Sequence, residues 1–119
     1  MAYRALQLTL NGNPQRLDTA WPKSAAPLAG AAPGTEPQND DPALCQLQVQ
    51  NASNANVVYF GGDNTVSSTN FGQKLVTVGA NTPYDQLSLG PFDAGHFKPS
   101  GIWVLGTNND KLNIIAIEY

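Results

Sequence analysis

The chain has 119 residues, a length that suits one domain able to bury a working core without disulfides or metals. Its formal net charge is −3 and its six Lys and Arg are scattered, which argues against a nucleic-acid footprint. Only 13% of residues are charged, against about 25% in ordinary globular domains; Asn and Gln fill the gap, keeping hydrogen-bonding capacity without the cost of desolvating ions.

Residues 5–10, ALQLTL, alternate cleanly, so Leu6, Leu8 and Leu10 face a core. Asn11-Gly12-Asn13-Pro14 reads as a turn, after which a short strand near Gln15–Leu17 is expected to pair back as a hairpin. No apolar signal-peptide core opens the chain and no apolar run is long enough to span a membrane, which predicts synthesis and assembly in a cytoplasm.

Residues 20–43 change character. Pro22, Pro27, Pro33, Pro37 and Pro42, mixed with Ala and Gly, forbid regular helix or a central strand. Long structureless segments inside a domain are functional or disordered. The segment reads either as an extended arm anchored through Trp21 and Leu28 or as a loose surface insertion between early strands. Within it, Asp40-Asp41 suits a solvated or turn-capping pair better than a general acid and base.

Strands resume at 44–50, LCQLQVQ, with Cys45, Leu47 and Val49 on one face and Gln46, Gln48 and Gln50 on the other. Cys45, the single cysteine, excludes an intrachain disulfide and is expected to be buried. Asn51-Ala52-Ser53 fits a glycosylation sequon, which has no meaning without secretion. The next strand, 56–60, is apolar on both faces and is therefore central or covered. Further strands are predicted near 65–68, 74–78, 85–89, 102–106 and 112–118, separated by Gly, Asn and Pro.

No segment carries helical apolar spacing over ten or more residues. Seven to nine short strands predict an all-β domain spanning 1–119, an antiparallel β-sandwich or jelly-roll-like barrel.

Chemistry is sparse. His96, the only histidine, lacks a second His for a metal site; a catalytic role would need neighbours such as Asp93 or Ser100. Asp63 and Asp110 sit in turns where Asp bonds nearby backbone, and Asn108-Asn109-Asp110 lacks the spaced acids of a calcium loop. Gly61-Gly62 is not followed by the Lys-Ser/Thr of a phosphate loop. No catalytic residue, cofactor site or metal site is assigned, and no enzyme activity is expected. Trp103, inside an apolar run, is expected in the core. Phe92 and Phe97, in the long loop 90–101, are the aromatics most available to a partner.

Asn56-Val57-Val58-Tyr59-Phe60-Gly61-Gly62, the polar turn with Val66, Gly72 before Leu75, and the closing Gly101-Ile102-Trp103-Val104-Leu105-Gly106 and Leu112-Asn113-Ile114-Ile115-Ala116 carry a further likeness. With Gln15-Arg16-Leu17-Asp18 closing a first hairpin, they resemble small β-sandwich virion proteins of tailed bacteriophages, many of them head decoration (cement) or minor structural proteins. The resemblance covers most of 1–20 and 44–119 and rests on short apolar words and turn glycines; 20–43 departs from it.

It implies a non-catalytic protein on the capsid surface. Its partner would be the major capsid protein, and it would be a homo-oligomer, trimer or dimer, without nucleic acid or membrane. Candidate contact residues are Trp21, Pro22, Leu28, Pro33, Phe92 and Phe97. A tail, baseplate or head–tail component and a carbohydrate- or host-surface-binding module are the alternatives.

Overall fold

The computed structural model describes residues 2–23, 39–51, 56–76, 86–93, 95 and 97–119. Leu28, Pro33 and His96 lie outside them, as does most of the expected arm.

Among the described residues there are eight strands and two short 3-10 turns. The strands are β1 (Ala2–Thr9), β2 (Gln15–Arg16), β3 (Leu44–Asn51), β4 (Val58–Gly61), β5 (Gln73–Leu75), β6 (Gln86–Leu89), β7 (Trp103–Leu105) and β8 (Lys111–Glu118). They form two four-stranded sheets, ordered β1-β8-β3-β6 and β2-β7-β4-β5. Every pairing is antiparallel. Successive strands pair from the two ends of the set inward: β1 with β8, β2 with β7, β3 with β6, β4 with β5. A ribbon of such pairs, rolled so that β8 also meets β3 and β7 also meets β4, is an eight-stranded jelly roll. The expected β-sandwich is therefore present.

Alternation explains what lies between the sheets. Leu8 of β1, Leu47 and Val49 of β3, and Leu112, Ile114 and Ala116 of β8 point inward from the first sheet. Val58, Phe60, Leu75 and Val104 meet them from the second, with Leu10, Leu17 and Trp21 closing one flank. The strand at 56–60 is apolar on both faces for two reasons. β4 is central in its sheet, and its outward Tyr59 is packed by Phe71, ring centroids 5.0 Å apart.

Cys45 is buried, its thiol donating to the Ile117 carbonyl at 3.4 Å. The register of β3 on β8 shifts between Leu44 and Gln46, so Cys45 is a bulge residue and Leu44 is buried beside it.

Three expectations fail. The first hairpin does not form. After Leu10 the chain turns at Gly12, φ +83°, and crosses to the other sheet, where Gln15 and Arg16 pair with Val104 and Trp103. That crossing carries Leu17 into the core. Residues 65–68 are not a strand, because Asp63, Ser67 and Asn70 bond the local backbone instead of leaving it to a ladder. Trp103 is only half-buried: Val104 takes the inward position of β7, so its neighbours point out.

Candidate functional site

An extended surface feature among the described residues is the outer face of the sheet β1-β8-β3-β6. With Leu8, Leu112 and Val49 inward, the alternate residues of each strand point away from the core. Register then sets them in rows. Gln7, Asn113, Gln50 and Gln86 form one row, and Ala5, Ile115, Gln48 and Ser88 the next. Tyr3, Ile117 and Gln46 follow. Gln7 donates to Asn113 at 3.0 Å, tying two strands through their amides. Gln48, Gln50, Gln86, Asn113 and Ile115 line a shallow hollow of about 100 Å³.

Among its described residues the face is uncharged apart from Lys111, which sits at its end with its ammonium 3.4 Å from the Thr9 hydroxyl. It also carries exposed apolar area: Tyr3 is 69% exposed and Ile115 40%. Amides beside apolar side chains, without ions, make a surface that loses little free energy when covered.

The opposite outer face differs. Arg16, Trp103 and Gly61 align across β2, β7 and β4, and Leu105, Tyr59 and Lys74 align across β7, β4 and β5. The Lys74 ammonium lies 5.9 Å from the centre of the Phe71 ring. Aromatics and Arg together favour binding hot spots, and sequence reasoning missed this strip by assigning Trp103 to the core.

The loop joining β4 to β5 is locally braced. The Asp63 carboxylate accepts from the Thr65 hydroxyl at 2.5 Å and from its N–H at 2.9 Å, which holds the Asp63 carboxyl below the usual carboxylate range. Asn70 donates to the Thr65 hydroxyl and carbonyl. A cleft of about 230 Å³ is lined here by Gly61, Asp63, Asn70 and Phe71, among others.

The expected contact residues scatter. Trp21 is not a surface contact: it is 1% exposed, and its indole N–H donates to Glu118 Oε1 at 3.0 Å. An indole placed just before a proline-rich segment reads equally as anchor or as contact; burial decides for anchor. Glu118 Oε1 also accepts from Arg4 Nε at 2.9 Å. Pro22 is exposed and its carbonyl accepts the Asp40 N–H at 2.8 Å. Beside it, Lys23 and Asn39 form an antiparallel bridge, and the Asn39 amide donates to the Trp21 carbonyl at 2.7 Å. Lys23 and Asn39 are thus held beside each other.

Phe92 is 43% exposed and meets Phe97 edge-on, centroids 5.9 Å apart. Phe97 is half-buried, bridged to Leu44 and packed on the core.

Chemistry-bearing groups do structural work. Asp41 accepts from both the N–H (3.0 Å) and hydroxyl (2.6 Å) of Ser100, capping the 3-10 turn Pro99–Gly101. Asp18, buried, takes a two-pronged contact from Arg16 at 3.1 and 2.9 Å. Asp110 accepts from the Asn56 amide at 3.1 Å. Asn51, the sequon residue, is buried with its amide nitrogen turned to the Asn56, Leu75 and Val76 carbonyls, so it is not presented for modification. Among the described residues, no three of His, Cys, Asp and Glu come together as a metal site, and no helix is long and apolar enough to cross a membrane.

Compared with family models, curated proteins and solved structures, the chain finds no match.

Proposed function

We propose that this protein is a bacteriophage capsid decoration protein, which binds the outer lattice of the head through protein–protein contacts and stabilises it without catalysis. The observation that carries the reading is the broad, nearly ion-free outer face of β1-β8-β3-β6, rows of amides around exposed Ile115 and Tyr3. Such a face suits burial against another protein, and repetition over a symmetric shell turns modest single contacts into strong retention. The fold alone does not choose, since jelly rolls serve viral shells and lectins alike. The likeness of 56–62 and 101–116 to virion proteins adds weight to the first.

Copy number tests it. Quantitative mass spectrometry of purified particles from the source is expected to find hundreds of copies, near-stoichiometric with the major capsid protein. A dozen or fewer would move the protein to the tail, baseplate or head–tail vertex; absence would overturn the virion reading. The carbohydrate-binding alternative loses its Trp21 platform, because that ring is in the core.

A further inference from the structure

Antiparallel sheets guard their edges, because an open edge offers unpaired N–H and C=O groups to any other strand. Three of the four edges here are short: β2 has 2 residues, β5 has 3 and β6 has 4. β1 is the exception. It is 8 residues long, lies at the edge of its sheet, and keeps unbroken register with β8 from Ala2 to Thr9. It holds no proline, and no bulge turns it away. Its only charge, Arg4, is engaged by Glu118 of the same chain.

The hydrogen-bond phase shows which residues are open. Leu10 donates to the Asp110 carbonyl at 2.8 Å, one step beyond the Thr9–Lys111 pair. In an antiparallel ladder bonded and non-bonded positions alternate. Leu8, Leu6 and Arg4 therefore bond β8, while Thr9, Gln7, Ala5 and Tyr3 turn their N–H and C=O to the free edge. The Gln15 amide, 3.4 Å from the Thr9 carbonyl, occupies that edge at its last position. Among the described residues no loop or turn backbone bond reaches Tyr3, Ala5 or Gln7 from that side.

We infer that β1 pairs antiparallel with β1 of a second copy about a two-fold axis, joining the two sheets into one of eight strands. An identical strand fits because the contact is self-complementary. Tyr3, Ala5, Gln7 and Thr9 are uncharged, so no like charges oppose one another across the axis. The pairing also places the two amide-rich outer faces side by side as one surface. It goes beyond the decoration reading and stands without it.

The test is solution mass by light scattering or sedimentation, with amide hydrogen exchange as the local readout. The wild-type protein is expected at twice the monomer mass, with slow exchange at the Ala5 and Gln7 amides. Ala5→Pro removes one free-edge N–H and leaves the β8 ladder intact; it is expected to halve the mass with an unchanged circular dichroism spectrum. Should Ala5→Pro not fold, Ala5→Lys, which sets like charges near the axis, is expected to give the monomer. A wild-type monomer at every concentration overturns the inference. So does a trimer, since one edge pairing about a two-fold closes at two, and so does a dimer whose Ala5 and Gln7 amides exchange freely. None of these outcomes involves a shell, so failure here leaves the decoration reading standing.

Discussion

At the scale of single residues, Glu118 does the most with one atom. Its Oε1 satisfies the Arg4 guanidinium and the indole of the buried Trp21 together. Glu118→Ala strands an indole N–H inside the protein, and the expected loss is about 1–3 kcal/mol, the usual cost of an unsatisfied buried donor. Urea unfolding followed by Trp fluorescence measures it, and Arg4→Ala should cost less because the Arg4 side chain is 38% exposed. Asp63 supplies a pH-dependent prediction. Its carboxyl is held down first by the Thr65 hydroxyl and then by the Thr65 N–H. A lowered folded-state pKa means that its support of the turn is fully present above the unfolded value of about 3.9 and is lost as pH falls through the lower folded value. The Thr65 amide resonance should titrate in that acidic window and stay flat in Asp63→Asn.

At the scale of elements, the exit of the chain from β6, where it continues alongside Cys45 of β3, depends on one glycine. Gly90 has φ +88°, and a Cβ there would stand 2.5 Å from the Cys45 carbonyl oxygen. Gly90→Ala therefore combines left-handed backbone strain with a collision against main chain, and a loss of about 1–3 kcal/mol is expected in thermal unfolding. Gly62, with nothing within 4 Å of an added Cβ, is the control that should change little. Elements were largely readable in the sequence because alternation is a local signal. ALQLTL and LCQLQVQ each sort their residues by face without knowledge of a partner. Pairing is not local. Nothing in Gln15-Arg16 states that Val104 and Trp103, far along the chain, will take its hydrogen bonds in place of β1. The failure at 65–68 has a different origin: Asp63, Ser67 and Asn70 satisfy backbone groups through side chains, a competition that a strand expectation does not weigh. The candidate surface was readable in part. The outward glutamines of β3 were visible as such, but the rows they make with Gln7, Asn113 and Gln86 exist only once β8 is inserted between β1 and β3.

At the scale of the molecule, the jelly roll is closed by pairings between the chain's beginning and its end, β1 on β8, and Lys23 and Asn39 are bridged to each other. Replacing 24–38 by a short Gly-Asn turn, with Trp21, Asn39 and Asp41 kept, is expected to preserve the fold by circular dichroism and the melting midpoint within a few degrees.

The Lys23–Asn39 bridge brings two chain positions sixteen apart in number to neighbouring places in space, roughly 5 Å between Cα atoms as in any antiparallel pair. Because lengthening a loop whose ends are already fixed costs little, this is a natural splice point. A foreign peptide or a small folded domain grafted there would begin and end at the same spot on the sandwich, leaving its eight strands undisturbed. On a particle carrying many copies, that one junction would become a dense and regular display array.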